Sequence, residues 1–506
     1  MEVDVLIVGA GPTGLTLACE LARRGVAHRL IERRDSPADG SRGKGVQPRS
    51  LEVLGDLGVA DALIAHGRFD MPMLLHGEGA PTPVPLASEL RDGARYAGPL
   101  LTPQWRVEAV LRDRLAELGG RVEWGCELTG IEQRDDRVVA KVRRGNTIER
   151  IETPWLIGCD GGQSGVRKAA SVPFVGETLE RIRMWVGDLT LDGLDRDYWH
   201  LWRGSEGFLA LCPLPSTNQF QFQAQIAPEE AREPSLAAFD TLIRQRTKRE
   251  DIHLHAAGWL SAWRANVRMA QRFMIGRVLL AGDAAHVHSP AGAQGMNTGI
   301  QDAYNLGWKL AAVCGGADED LIDTYQEERL PIARGVLDLS SELTKTAFAP
   351  DRARDTRTSQ LDLGYRGSSL SVDVRSVNGT IRAGDRAPDA VGLRGSAGTE
   401  RRLSDLMRGT QYTLLVFAHD LPAALAGMLE RFGNAVQCIR IVADGMAGAD
   451  CWIDVEGSAR RLYAPTADAL FAIRPDGYVG FCGSSADHAD LAHYLRRFVA
   501  ASQEIG

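Results

Sequence analysis

The stretch from Val3 to Glu32 constrains this chain more than any other. Val3-Asp-Val-Leu-Ile-Val8 is an apolar run that reads as a buried strand, and Gly9-Ala10-Gly11-Pro12-Thr13-Gly14 follows it without a spacer. A helix then runs through Leu15, Leu17, Ala18, Leu21 and Ala22 and stops at Gly25. Arg29-Leu30-Ile31-Glu32 is a second strand that ends in an acid. A GxGxxG turn between a strand and a helix, answered by an acid about twenty residues on, is the pattern of a dinucleotide-binding unit. The glycines let the backbone reach a pyrophosphate, and the helix N-terminus stabilises its charge. Glu32 falls where a ribose hydroxyl would sit. The motif by itself leaves NAD and FAD open.

A second stretch, residues 276–310, bears on that choice. Val278-Leu-Leu-Ala281 reads as a short buried strand ending at Gly282-Asp283, which sets a carboxylate at the mouth of a sheet, within reach of a chain of hydroxyls. The next loop carries Pro290, Gly292 and Gly295, small enough for a flat ligand to approach the backbone. From Asn297 the pattern turns helical, with Ile300, Ala303, Tyr304, Gly307, Leu310 and Ala311 on one face. Its N-terminal N–H groups and partial positive charge would face whatever the loop holds, and an anionic reduced flavin suits that spot.

The 506 residues suffice for two or three domains. The 44% apolar and 25% charged content is that of a soluble globular protein, and a net charge of −8 argues against nucleic acid or an anionic membrane as partner. Eight cysteines are scattered without a CxxC, as expected of reduced thiols in a cytoplasmic protein. The N-terminus, with Glu2, Asp4 and its glycines, does not read as a signal peptide, and no run approaches a membrane span. His253/His255 and His286/His288 are i, i+2 pairs with no acid or cysteine completing a set, so no metal site is expected.

Other positions are ambiguous when read singly. Arg42, in Asp39-Gly-Ser-Arg42-Gly43, would reach a pyrophosphate or flavin edge, or lie solvated at the surface. Arg49 opens an amphipathic helix and would pair with Glu52. Gln104 precedes another helix and is uninformative by itself. Trp155-Leu-Ile-Gly-Cys-Asp160-Gly161 is a strand ending in a second acid–glycine turn, suited to phosphate or ribose contact or to a plain turn. Residues 176–265 read as sheet: Phe220, Phe222, Ala224 and Ile226 alternate with Gln221, Gln223 and Gln225. Tyr198-Trp-His-Leu-Trp202 offers aromatic surface, either for a substrate or for packing.

With these motifs in place, the chain resembles the class A flavoprotein aromatic hydroxylases, above all phenol hydroxylase-like members and hydroxylases of aromatic polyketides. The resemblance covers roughly residues 1–345. It rests on the glycine turn with Glu32, on Cys159-Asp160-Gly161, on Gly282-Asp283 and on Tyr325-Gln-Glu-Glu328-Arg329-Leu-Pro331. It implies an α/β fold: a GR2-type, Rossmann-like FAD-binding domain from residues 1–175 and 266–350, and a substrate-binding β-sheet domain from 176–265 with a contribution from about 70–102. A linker at 351–380 and a thioredoxin-like C-terminal domain at 381–506 would complete the chain.

The resemblance also implies roles. Gly9, Gly11, Pro12, Thr13 and Gly14 would cradle the FAD pyrophosphate, with Glu32 on the adenosine ribose and Arg33 near the adenine. Arg42 would contact pyrophosphate or flavin, Gln104 the ribityl side, and Asp160 both FAD and the nicotinamide cofactor. Asp283 would bind the ribityl chain or pyrophosphate. Gly295, Met296 and Asn297 would present backbone to the flavin's pyrimidine edge, and the Pro290 carbonyl would support oxygen chemistry at the flavin C4a. No second complete GxGxxG exists, in keeping with enzymes that lack a separate NAD(P)H domain.

The expected activity is hydroxylation of an electron-rich aromatic, a phenol or aromatic polyketide, through a flavin C4a-hydroperoxide, with O2 and NAD(P)H, NADPH being favoured. Baeyer–Villiger oxygenation of a polycyclic ketone and a non-oxygenating electron-transfer or regulatory flavoprotein are the alternatives. Oligomeric state is open, a homodimer being one outcome.

Overall fold

In a computed structural model of the chain, Val5–Val8 lies parallel to a neighbour on each side, His28–Ile31 and Trp155–Gly158. The structure describes residues 3–499 except 87, 228–229, 231, 290–291, 346–355, 377–378, 397, 446–449 and 467. Val278–Leu280 continues the parallel array beside Trp155–Gly158, and Val122–Glu123 closes the other edge beside His28–Ile31. Because these strands run the same way, their C-terminal ends form one rim, and Gly9, Glu32, Asp160 and Asp283 all leave the sheet there. Ligands of open parallel sheets bind along this rim.

Two helices lean on each other above the rim. The helix Pro12–Ala22 packs on Gly295–Cys314, which begins two residues earlier than the apolar periodicity suggests. Their approach requires small residues: a Cβ at Gly299 would lie 2.4 Å from Thr13 Oγ1, and one at Gly307 2.4 Å from Glu20 Cγ.

A second sheet of eight strands is built around the long antiparallel pair Phe174–Asp192 and His253–Ala270, and it takes in Met73–His76 and Thr82–Val84 at its far edge. Strand alternation gives it two unlike faces. Phe220, Phe222, Trp185, Leu209 and Trp202 pack against the helix Leu236–Thr247. The opposite face carries the row Cys212, Gln221, Asp188 and Trp259, directly paired across four strands, and next to it Ala210, Gln223 and Val186. Trp199 and Leu201 share this face, whereas His200 and Trp202 point the other way, stacked against His76. The Tyr198–Trp202 stretch is thereby split between packing and an aromatic lining.

The C-terminal unit is a mixed sheet with Tyr412–Val416 and Val436–Val442 parallel at its centre and Ala469–Ile473 and Val479–Ser484 antiparallel beside them. Helices Ala423–Phe432 and His488–Arg496 cover one side. The stretch read as a linker differs from a solvated connection: Leu361, Tyr365 and Leu370 are buried, and Val372–Asp373 pairs with Val479–Ser484. Its polar composition hides a few apolar side chains that anchor it. Among the described residues no helix is long and apolar enough to cross a membrane, and no cluster of three or more His, Cys, Asp or Glu is placed to hold a metal.

Candidate active site

The glycine turn separates two tasks. At Gly9, with φ of +106°, an added Cβ would stand 2.5 Å from the Cys159 carbonyl oxygen, and at Gly14 it would stand 1.9 Å from that of Gly9. These two glycines let the turn, the neighbouring strand and the helix fit together. A Cβ at Gly11 would meet nothing within 4 Å, so the turn is open on that side. The helix beyond it has Pro12 in its first turn and no side-chain cap, which leaves its end available to an anion.

Glu32 is buried and well bonded. Its Oε2 accepts from the Ala10 N–H at 2.9 Å, and its Oε1 from the Arg34 side chain at 3.0 Å. Burial works against its ionisation, but Arg34 and the Ala10 N–H outweigh it and hold the carboxyl below its usual range. Oε1 also accepts from the Arg34 N–H at 3.2 Å, so it is Oε2 that keeps a second lone pair for a hydroxyl. Arg33, the residue expected near an adenine, is exposed, and it is Arg34 that engages Glu32.

Asp160 is bonded to the start of the short helix Gly165–Ala169. Its Oδ1 accepts from Ser164 Oγ at 2.5 Å, and its Oδ2 from the Gly165 and Val166 N–H groups at 2.7 and 3.1 Å. The second acid–glycine turn is thus a rigid corner whose carboxylate already serves the backbone. Arg167, which sequence reasoning passed over, ties this corner to the next: it donates to the carbonyls of Ala284 and Gly162, both at 2.8 Å.

Asp283 reaches solvent although protein crowds around it. Crowding raises its carboxyl above the usual range, while nearby His286 and Arg42 oppose the rise. Arg42 is itself exposed. Behind Asp283 lies a fully buried set: Asp302 accepts from His286 Nε2 at 2.7 Å, from the Gly282 N–H at 3.0 Å and from Arg329 Nε at 2.7 Å. Burial raises the Asp302 carboxyl, but Arg329 and His286 overcome it and bring it to about 2.

The start of the helix Gly295–Cys314 is stitched to the loop after Arg42. Asn297 Oδ1 accepts from the Gln47 N–H at 2.8 Å, and its Nδ2 donates to the Gly45 carbonyl at 2.9 Å. At Gly43 a Cβ would sit 3.2 Å from Gln104 Oε1 and 4.0 Å from Met296 Cε. The loop that carries Arg42 thus meets Gln104, Met296 and Asn297, distant in sequence, beside Gly295. Pro290 lies outside the described residues.

These residues fit FAD on geometric grounds. Along the rim stand the Glu32 carboxylate, an open Gly11 with an uncapped helix behind it, and the corner at Gly43, Gln104 and Met296.

Comparison with known proteins agrees. Residues 2–340 match the FAD binding domain family, and residues 380–502 match the aromatic-ring hydroxylase C-terminal family. A flavin-dependent monooxygenase of Mycobacteroides abscessus is 43% identical over 98% of this chain and 100% of its own length. The 6-methylpretetramide 4-monooxygenase of Streptomyces rimosus is 35% identical over 97% of this chain and 93% of its own. Among solved structures, aklavinone-11 hydroxylase in complex with FAD and aklavinone superposes with a TM-score of 0.82 at 27% identity, over 98% of this chain and 99% of that one.

Proposed function

The chain belongs to the FAD-binding aromatic-ring hydroxylases, and on that premise we propose that it hydroxylates an electron-rich aromatic, a phenol or an aromatic polyketide, with O2 and NADPH. Relatives named for oxygenating 6-methylpretetramide and aklavinone support the polyketide side of this reading. One observation carries it within the molecule. The loop of residues 40–45 lies between the cofactor corner and an aromatic sheet face: Gly43 adjoins Gln104 and Met296, while Gly40 adjoins Trp259.

When bound, FAD supplies the redox chemistry by which NADPH and O2 deliver one oxygen atom to the ring. The protein's part is to bind, orient and exclude water. Gly9, Gly11, Pro12, Thr13 and Gly14 would hold the pyrophosphate, Glu32 and Arg33 the adenosine, and Asp283, Arg42 and Gln104 the pyrophosphate, ribityl chain or flavin edge. Gly295, Met296, Asn297 and Pro290 would border the flavin ring, and the rigid Asp160 corner would border both FAD and the nicotinamide cofactor. Trp199, Trp259, Leu201 and Val186 would form the apolar wall for the substrate.

The test is NADPH consumption by the FAD-loaded protein against a panel of phenols and hydroxylated polycyclic ketones, with product analysis. Substrate-stimulated consumption and a ring-hydroxylated product are expected. Oxygen inserted into a carbon–carbon bond, or turnover with no oxygenated product, would contradict the reading.

A further inference from the structure

The loop that leads into the helix Gly295–Cys314 is held in a strained shape. Ala293 has a φ of +54°, in the left-handed region that favours glycine. Gly292 beside it, with φ of +80°, is walled in: a Cβ there would stand 2.9 Å from Leu343 Cδ1 and 3.3 Å from Thr358 Cγ2. Against this loop packs a second left-handed residue, Gln360, with a φ of +60°. It is buried, and it lies beside Leu361 at the start of the stretch whose composition suggests a linker. A residue other than glycine keeps such a conformation only where its surroundings enforce it, and these residues gather at functional sites.

A ladder of buried side-chain amides joins the two. Gln360 Oε1 accepts from Gln301 Nε2 at 2.6 Å, and Gln360 Nε2 donates to Gln294 Oε1 at 2.8 Å and to Thr298 Oγ1 at 3.1 Å. Gln294 Nε2 donates in turn to the carbonyls of Gly292 at 2.7 Å and Thr358 at 3.1 Å. From the other side, Gln47 Nε2 donates to the same Gly292 carbonyl at 3.0 Å. Gln294 immediately precedes the helix, and with its amide committed to this ladder no side chain caps the helix start. The N–H groups of the first turn, which have no partner inside a helix, thereby stay uncapped.

We propose that Gln360 is a positioning residue of the cofactor site: through Gln294 it fixes the loop Gly292–Gly295, so that the uncapped helix start meets the flavin ring. The helix start carries partial positive charge, which favours the anionic reduced flavin over the oxidised one. Loosening the loop therefore weakens FAD binding, and weakens it more for the reduced form.

This inference rests on placing FAD along the rim, and its test separates the two. Gln360→Met keeps the length of the side chain and removes the amide, while Gln360→Gly also releases the backbone strain. FAD affinity is read by titration, and the midpoint potential of the bound flavin by equilibration with a redox dye. Both variants should bind oxidised FAD about tenfold more weakly and reduced FAD about fivefold more weakly again, which lowers the potential by about 20 mV for two electrons. Gln294→Met, the same cut made from the loop side, should reproduce both changes, and the double variant should add little to either. Where Gln360→Met does not fold, Gln360→Gly carries the test.

Wild-type affinity and potential in the folded variants overturn the proposal. So does weaker FAD binding at an unchanged potential, the mark of a purely structural role. Gly11→Ala is the control for the reading beneath it. Loss of FAD affinity there beside silent Gln360 variants removes Gln360 and keeps the rim; no loss in either removes both.

Discussion

At the scale of single residues, Gly11 and Gly14 make opposite predictions although they share one motif. Alanine at Gly14 places a methyl where the Gly9 carbonyl stands, so it should destabilise even the cofactor-free fold, by about 1–3 kcal/mol as overpacking does. Alanine at Gly11 meets open space, so the cofactor-free melting temperature should hold while FAD affinity falls at least about tenfold, equivalent to ~1.4 kcal/mol. Thermal melts and FAD titrations of both variants check this, and equal behaviour would contradict it. Asp302→Asn should cost about 3–5 kcal/mol, because Arg329 would remain buried without its partner. The Asp302 carboxyl is held at about 2, below an unfolded value of about 4. Its contribution is therefore complete above that unfolded value and is lost as pH falls through the folded one. Denaturation between pH ~4 and ~2 should be less pH-dependent in the variant than in wild type.

The places of the glycines, Glu32 and Asp283 at strand ends were legible because they depend on neighbours in sequence. Arg34, Arg167 and Lys44 were not. What each touches lies across the fold, as with Lys44 and Gln221, or depends on which of two adjacent arginines turns inward.

At the scale of elements, parallel pairing converts three separate motifs into one rim. The apolar runs before Gly9, Asp160 and Asp283 announced strands, but only their shared direction aligns the turns. Alternation at Phe220–Ile226 marked a two-faced strand correctly, and the structure then shows Gln221 turned toward the loop at Ser41 and Lys44. The far end of the helix Gly295–Cys314 carries an equally specific contact. Trp308 enters the C-terminal core, and Glu328 accepts from Arg474 at 2.5 Å and from Lys309 at 2.7 Å, with all three side chains buried. No local pattern in sequence foretells that cluster, since its members lie on distant segments. Glu328→Gln should leave Lys309 buried without its carboxylate, while Arg474 keeps Asp476, and cost about 3–5 kcal/mol in a urea melt. A loss below ~1 kcal/mol, the range of exposed pairs, would contradict the cluster's burial.

At the scale of the whole molecule, the C-terminal unit is bound to the cofactor domain by charge as well as by apolar packing. Arg49 pairs with Glu52 as its spacing suggested and also donates to the Asp476 carbonyl at 2.7 Å, while Arg386 reaches Glu52 at 3.0 Å. Calorimetry should accordingly show one unfolding transition for both units, and two well-separated transitions would contradict the shared core. The order of domains could be read from motif and composition. How closely they are joined could not, because a polar stretch such as 356–376 looks like a linker until Tyr365 and Leu370 are seen buried. The role proposed for this rim and sheet face is aromatic oxygenation. Its most direct test supplies the FAD-loaded protein with NADPH, a phenolic polyketide and isotopically labelled O2, and weighs the product by mass spectrometry. One labelled oxygen on the aromatic ring, formed in step with NADPH consumed, is the predicted result; product oxygen drawn from water, or NADPH consumed with no labelled product from any phenol, would contradict it.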